Sequence, residues 1–244
     1  MTKKKILVLA LSLAMVAILA VGGSLAYFTS EDKAENTFTM GNVQIAIREV
    51  FDEMTAQLIP GKDINKDVFV KNTGALPAYV RVHIAIPANL DDGDPTFAAI
   101  NNFLHFNFTE ASVQDGQWSW LPEMSTGVGY KGNGKGNGNF YTTKVKDVDY
   151  NVYVVTYRSV LAPDAETTTQ ALDKVYLDRS VDAVKNEDDT FTYNDNKGNT
   201  ITLGANDKVK ILVVAEGTQT EGFSDPYTAL NTAFGVPGTY NPFN

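Results

Sequence analysis

An all-β fold, a jelly-roll-like antiparallel β-sandwich with one or two short peripheral helices, is what this sequence predicts, and three observations predict it. Apolar and polar residues alternate with a period of two in one short segment after another, as half-buried strands require. These segments are rich in Val, Ile, Tyr and Phe, and Pro-Gly, Asn-x-Gly and Asn/Asp clusters turn the chain between them. The chain has 244 residues, 43% of them hydrophobic and 11% aromatic, enough to offset the entropy of ordering one large domain. Without a single cysteine, that domain must be held by packing and backbone pairing alone.

The elements follow in order. Lys3, Lys4 and Lys5 precede an apolar run, Ile6–Val21, that Gly22 and Gly23 break before Ser24, Leu25 and Ala26. The run is shorter than the about 20 residues of a membrane span, and small side chains at Ser24 and Ala26 suit a signal peptidase. Residues 1–26 are therefore expected to be a cleavable signal peptide, cut so that Tyr27 becomes the first mature residue. Residues 27–38 form a candidate arm, with aromatic ends at Tyr27, Phe28 and Phe38 around a charged middle, and residues 39–244 form a single β-sandwich domain.

Within that domain Val43, Ile45 and Ile47 alternate with polar neighbours, Pro60-Gly61 marks a turn, and Val68–Asn72 is a short strand ended by Asn72-Thr73-Gly74. Tyr79–Pro87 gives the clearest alternation. Val80, Val82, Ile84 and Ile86 fall on one face, and Tyr79, Arg81, His83 and Ala85 on the other. Leu104–Phe108, Trp118–Leu121, Tyr150–Val160, Val175–Ala183, Phe191–Tyr193, Ile201–Leu203 and Val209–Ala215 read as further strands, with a hairpin turn over 194–199. Asp225 can cap a helix that Pro226 opens and Gly235 stops, with Tyr227, Leu230 and Phe234 sharing a face. A second helix is expected over Thr96–Phe103. The segment Lys131–Asn139, KGNGKGNGN, is low in complexity and reads as an exposed loop.

The formal charge is −9, and Lys and Arg are scattered among a larger number of carboxylates rather than clustered as a phosphate backbone requires, so nucleic acid is not an expected partner. Gly127, Gly129 and Gly132 match a dinucleotide fingerprint and Gly129–Lys135 the start of a P-loop. Gly136 stands where a magnesium-binding hydroxyl is needed, and no apolar helix follows, so nucleotide binding is not expected. The two histidines, His83 and His105, form no His-Glu-x-x-His pair and are expected at solvated or edge positions. Asp91, Asp92 and Asp94 make the densest carboxylate loop and are the candidate calcium ligands. No nucleophile elbow is present and no catalytic carboxylate pair stands out, so no catalytic residue and no cofactor are expected, and the chain reads as a non-enzyme.

Four segments together resemble the TasA and camelysin group, exported proteins of Gram-positive bacteria processed by the signal peptidase SipW. They are Gly22–Thr29 with Asn36–Val43; Ile59–Lys62 leading into Val68–Gly74 and Pro77–Val82; Phe140-Tyr141 with Tyr153–Pro163 and Thr167–Leu172; and Val213–Gln219 before the final helix. The chain departs from the camelysin branch in showing no recognisable set of metal ligands. The resemblance implies a secreted subunit of biofilm-matrix fibres, located in the extracellular matrix or at the cell surface. It would polymerise head to tail with itself as the N-terminal arm of one copy adds a strand to the next, and Tyr27, Phe28, Thr37 and Phe38 would carry the assembly. A SipW-type peptidase and an accessory assembly protein are the further partners implied, with no membrane association after cleavage. The alternatives are a camelysin-like metal-dependent surface protease and a monomeric adhesin that uses Trp118, Trp120 and the glycine loop.

Overall fold

The computed structural model describes residues 42–51, 58–91, 103–106, 117–119, 140–195, 198–204 and 208–244, all within one unit spanning Gly41–Asn244. Strands dominate these residues, arranged as three antiparallel sheets. The first has the order β1-β2-β8-β4, built from β1 (Ile45–Val50), β2 (Ile64–Asn72), β4 (Leu104–Phe106) and β8 (Leu172–Leu177). The second has the order β12-β3-β7-β5, built from β3 (Ala78–Pro87), β5 (Trp118–Ser119), β7 (Val148–Tyr157) and β12 (Leu212–Gln219). Strand β6 (Phe140–Val145) pairs with β7 on the same side as β5, further along the strand. A meander of β9 (Asp182–Lys185), β10 (Thr190–Asn194) and β11 (Thr200–Gly204) forms the third sheet.

The main core lies between the first two sheets. Val68 and Val70 of β2, Leu172, Val175 and Leu177 of β8 and Leu104 of β4 meet Val80, Val82, Ile84 and Ile86 of β3 and Tyr153 and Val155 of β7. The expected all-β sandwich is what forms. Period-two alternation supplies one apolar row per strand, and stacking those rows removes both from water at about 25 cal/mol for each Å² buried.

Local chemistry sets the turns. Pro60-Gly61 turns as expected, with Gly61 at φ +72° and its N–H donating to the Leu177 carbonyl. At the end of β2 the buried Asn72 amide donates to the carbonyls of Leu76 and Leu161, at 2.8 and 3.0 Å, and its oxygen accepts from the Gly74 N–H at 2.9 Å. Gly74 has no room for a side chain: a Cβ there would lie 2.5 Å from the Gln44 nitrogen and 2.6 Å from the Asn42 oxygen. The Asn-x-Gly turn thus clamps the chain just ahead of β1, and the N–H groups of Thr73 and Gly74 donate to Gln44 while those of Ala75 and Leu76 donate to Asn42.

Several expectations shift. The single strand expected over Val175–Ala183 is two, because Asp178 accepts from the N–H and hydroxyl of Ser180 and turns the chain between β8 and β9. Strand β6 lies where no strand was expected, and a two-residue turn with Lys146 at φ 56° links it to β7. The C-terminal helix α1 (Pro226–Phe234) is as predicted, with the Asp225 carboxylate accepting from the Thr228 N–H at 2.9 Å and Gly235 at φ +96°. Its buried side is Ala229 and Leu230, while Phe234 remains exposed. The second helix, expected over Thr96–Phe103, lies outside the described residues except for Phe103. Among the described residues no helix is long and apolar enough to cross a membrane.

Candidate functional site

Strand β3 is central, paired to β12 on one side and β7 on the other, and every one of its ten residues is buried. Its second face, with Tyr79, Arg81, His83 and Ala85, is therefore not the solvated face expected from its charges. Helix α1 and the tail after it cover that face: Ala229 and Leu230 pack on Tyr79, and Phe243 packs in a cluster with Ala85, Tyr141, Tyr150, Val152 and Val154. Arg81 is 2% exposed and His83 fully buried, which corrects the reading of His83 as a solvated or edge residue.

Burying these groups requires partners, and the neighbouring elements supply them. The Arg81 Nε donates to Glu216 of β12 at 2.5 Å. Its Nη1 donates to Asn231 of α1 at 2.8 Å, and its Nη2 to the Gly235 carbonyl at 3.0 Å and the Tyr240 hydroxyl at 2.6 Å. The Tyr240 hydroxyl in turn donates to the Glu216 carboxylate, 2.7 and 2.8 Å from its two oxygens. His83 sits between Glu216, 3.1 Å from Nε2, and the Tyr141 hydroxyl, 3.1 Å from Nδ1.

The electrostatics follow from this enclosure. Burial lowers the affinity of His83 for a proton and outweighs the hydrogen bond and charge of Glu216, so the ring is neutral. Burial also pushes the Glu216 carboxyl up, but the His83 contact, the Arg81 charge and the Tyr240 hydrogen bond together hold it at about 2. Tyr240 is pushed upward by burial and by the Glu216 carboxylate. The arrangement is a charge-neutral Arg81–Glu216 pair with a neutral imidazole and two phenols closing it.

A second feature lies where the two main sheets approach at their edges. Strands β1 and β12 are terminal in their sheets, each with one paired neighbour among the described strands. They come so close that a Cβ on Gly217 would lie 2.7 Å from the Ile45 side chain. Beside this contact opens a groove of about 350 Å³, walled by Val43 and Leu76 on one side, Gly217–Gln219 on another, and Phe223, Thr232 and Ala233 on the third.

The sequence-derived candidates fare unequally. Ser24, Ala26, Tyr27, Phe28, Thr37, Phe38, Asp92, Asp94 and Trp120 lie outside the described residues. Asp91 is buried, its Oδ2 accepting from the Tyr153 hydroxyl at 2.6 Å and the Asn151 amide at 3.0 Å, so it braces β7 from within. Trp118 is wholly buried, donates from Nε1 to the Thr169 carbonyl at 3.0 Å and packs on Tyr157, which removes it from any glycan-binding surface. His105 stands on β4, terminal in its sheet among the described strands, which agrees with the expected edge position, and it is partly buried there, stacking on Tyr176 and bonding Asp178 at 2.7 Å. Glu216 and Tyr240 went unread: the signal for Glu216 was a lone carboxylate inside an apolar strand, and Tyr240 lies in a tail without periodicity.

Residues 1–95 match the family model described as camelysin metallo-endopeptidase. The family this model describes is the TasA/camelysin family. The match bears out the resemblance read from the sequence and takes in β1–β3, with Arg81 and His83, but not Glu216, Asn231 or Tyr240. The comparison with curated proteins gives no match. The camelysin description overturns one expectation: the chain reads as a non-enzyme, whereas the family model that its residues 1–95 match carries the name of a peptidase. That name implies a metal, and the described residues do not fit one. Among them no three His, Cys, Asp or Glu side chains converge, and the carboxylates of both His–carboxylate pairs are engaged by protein donors.

Proposed function

We propose that this chain is a secreted structural subunit of extracellular matrix fibres, assembled when the arm Tyr27–Phe38 of one copy adds as a strand to an open sheet edge of the next. The supporting observation is the pair of terminal strands β1 and β12, each with one paired neighbour among the described strands, beside an open groove. An edge strand presents a row of N–H and C=O groups that an extended segment satisfies, while a groove receives its side chains. Val43, which follows the arm closely in the chain, forms one groove wall. Head-to-tail repetition of such a contact gives an open filament rather than a closed ring. Release of the arm by a SipW-type peptidase after Ala26, outside the cytoplasm, belongs to the same proposal, as does an accessory protein that starts assembly. The test is electron microscopy of concentrated residues 27–244 beside a version lacking residues 27–38. Filaments from the first alone are expected; equal behaviour of the two would refute strand addition.

The family description favours a second reading, a metal-dependent peptidase. Its test is casein turnover by purified residues 27–244 with added zinc. Cleavage abolished by a chelator would establish it, and intact casein would remove it.

A further inference from the structure

The outer face of β3 is polar, yet α1 and the tail seal it through one cluster. Three of the lid's polar groups converge there: Asn231 and the Gly235 carbonyl on Arg81, and the Tyr240 hydroxyl on both Arg81 and Glu216. Tyr240 also stands edge-on to the His83 ring, at 6.1 Å between centroids. Outside this cluster the lid's contacts include the apolar packing of Ala229, Leu230 and Phe243 and a hydrogen bond from Asn241 to the Lys144 carbonyl.

The cluster closes on one arrangement of protons. With His83 neutral, Nε2–H donates to Glu216 and Nδ1 accepts from Tyr141, while Tyr240 donates to Glu216 and accepts from Arg81. The ionisable groups that face His83 are Arg81 on its own strand, Glu216 on β12, Tyr141 on β6 and Tyr240 on the tail, with Tyr150 of β7 in the adjoining apolar cluster. Helix α1 contributes the uncharged Asn231. A second proton on His83 would raise the net charge of this enclosed group from zero to one positive unit. It would also set an Nδ1–H against the Tyr141 hydroxyl, which would have to turn its own proton away. An uncompensated buried charge is relieved by water, and lifting the lid admits water without opening the sandwich between the sheets.

We propose that α1 and the tail Gly235–Asn244 form an acid-released clasp, latched on Arg81, Glu216 and His83 at neutral pH and loosened when His83 takes up a proton. Because α1 also supplies Thr232 and Ala233 to the groove, loosening the clasp reshapes that surface. The clasp does not depend on what the groove receives.

The chain contains no cysteine, so a single introduced thiol reports on one site. Ala229→Cys places it under the lid and Ala171→Cys in the core between the sheets, both at buried positions. Labelling by dithiodipyridine would be measured at pH about 7.5 and about 5, each rate divided by that of the denatured chain at the same pH. The thiol of Ala229→Cys is expected to gain at least about tenfold on acidification while that of Ala171→Cys stays protected, and adding His83→Gln should abolish the gain. A flat rate in the parent, a gain that survives His83→Gln, or equal gains at both thiols would each overturn the clasp. Should His83→Gln fail to fold, Tyr240→Phe removes the latch instead. It should raise labelling of the thiol at position 229 already at neutral pH, and unchanged protection there would overturn the proposal equally.

Discussion

Arg81 has four polar partners drawn from β12, α1 and the tail, but only Glu216 carries a negative charge, so deleting that carboxylate leaves a buried guanidinium without its counter-charge. Breaking a buried ion pair by removing one partner costs about 3–5 kcal/mol, far more than an exposed pair such as Lys185–Asp189 contributes. Glu216→Gln should accordingly lower the stability read from urea unfolding strongly, and Lys185→Ala should leave that stability within about 0.5 kcal/mol of the parent. Gly74 makes a different demand, since a methyl group there meets backbone of residues 42–44 rather than a side chain that can swing aside. Gly74→Ala should cost about 1–3 kcal/mol in the same measurement, the range for forcing atoms into a packed site. These residues were partly legible: the Asn-x-Gly turn could be read because its chemistry is local, whereas the partners of Arg81 lie up to 159 residues away.

At the scale of elements, α1 and β3 contrast. Helix α1 could be read almost to the residue because cap, proline and terminal glycine all act within one turn of the chain. Asp225→Ala should remove the hydrogen bond to the Thr228 N–H and destabilise the lid by about 1 kcal/mol. The readout is faster amide exchange in Pro226–Phe234 with little change in β7, since the cap touches only the helix. Alternation on β3 assigned its two faces correctly but mistook one for a wet face, because period two shows which residues share a side and not what covers that side. Strand β5 makes the same point through Trp118, whose indole fills the core. Trp118→Ala should destabilise by about 3–5 kcal/mol, measured by thermal unfolding, as for a large buried aromatic.

For the molecule as a whole, the buried cluster ties stability to pH. His83 binds a proton less readily folded than unfolded, so the unfolded chain protonates first and stability falls as the pH drops below about 6.5. The Glu216 carboxyl, held at about 2 against an ordinary 4.5, stabilises the fold above 4.5, and that contribution is lost as the pH falls from there toward 2. Both act in the same direction. The melting temperature should decline below pH about 6.5 and more steeply below about 4.5, and His83→Gln should flatten the first stage and, by removing a contact that helps hold the Glu216 carboxyl down, soften the second. Equal slopes for parent and variant between pH about 7.5 and 5 would show that other groups carry the effect.

By itself the sequence determined the fold class, most strand positions, the capped helix and the family resemblance, because these rest on contacts between near neighbours and on motifs in fixed order. Tertiary structure alone decided that β3 is covered on both faces, that Arg81, His83, Glu216 and Tyr240 form one enclosed cluster, and that β1 and β12 meet beside a groove. The physical reason is distance along the chain. A strand pattern records which side a residue takes, while the partner that neutralises a buried charge is set by which distant element the packing brings against it.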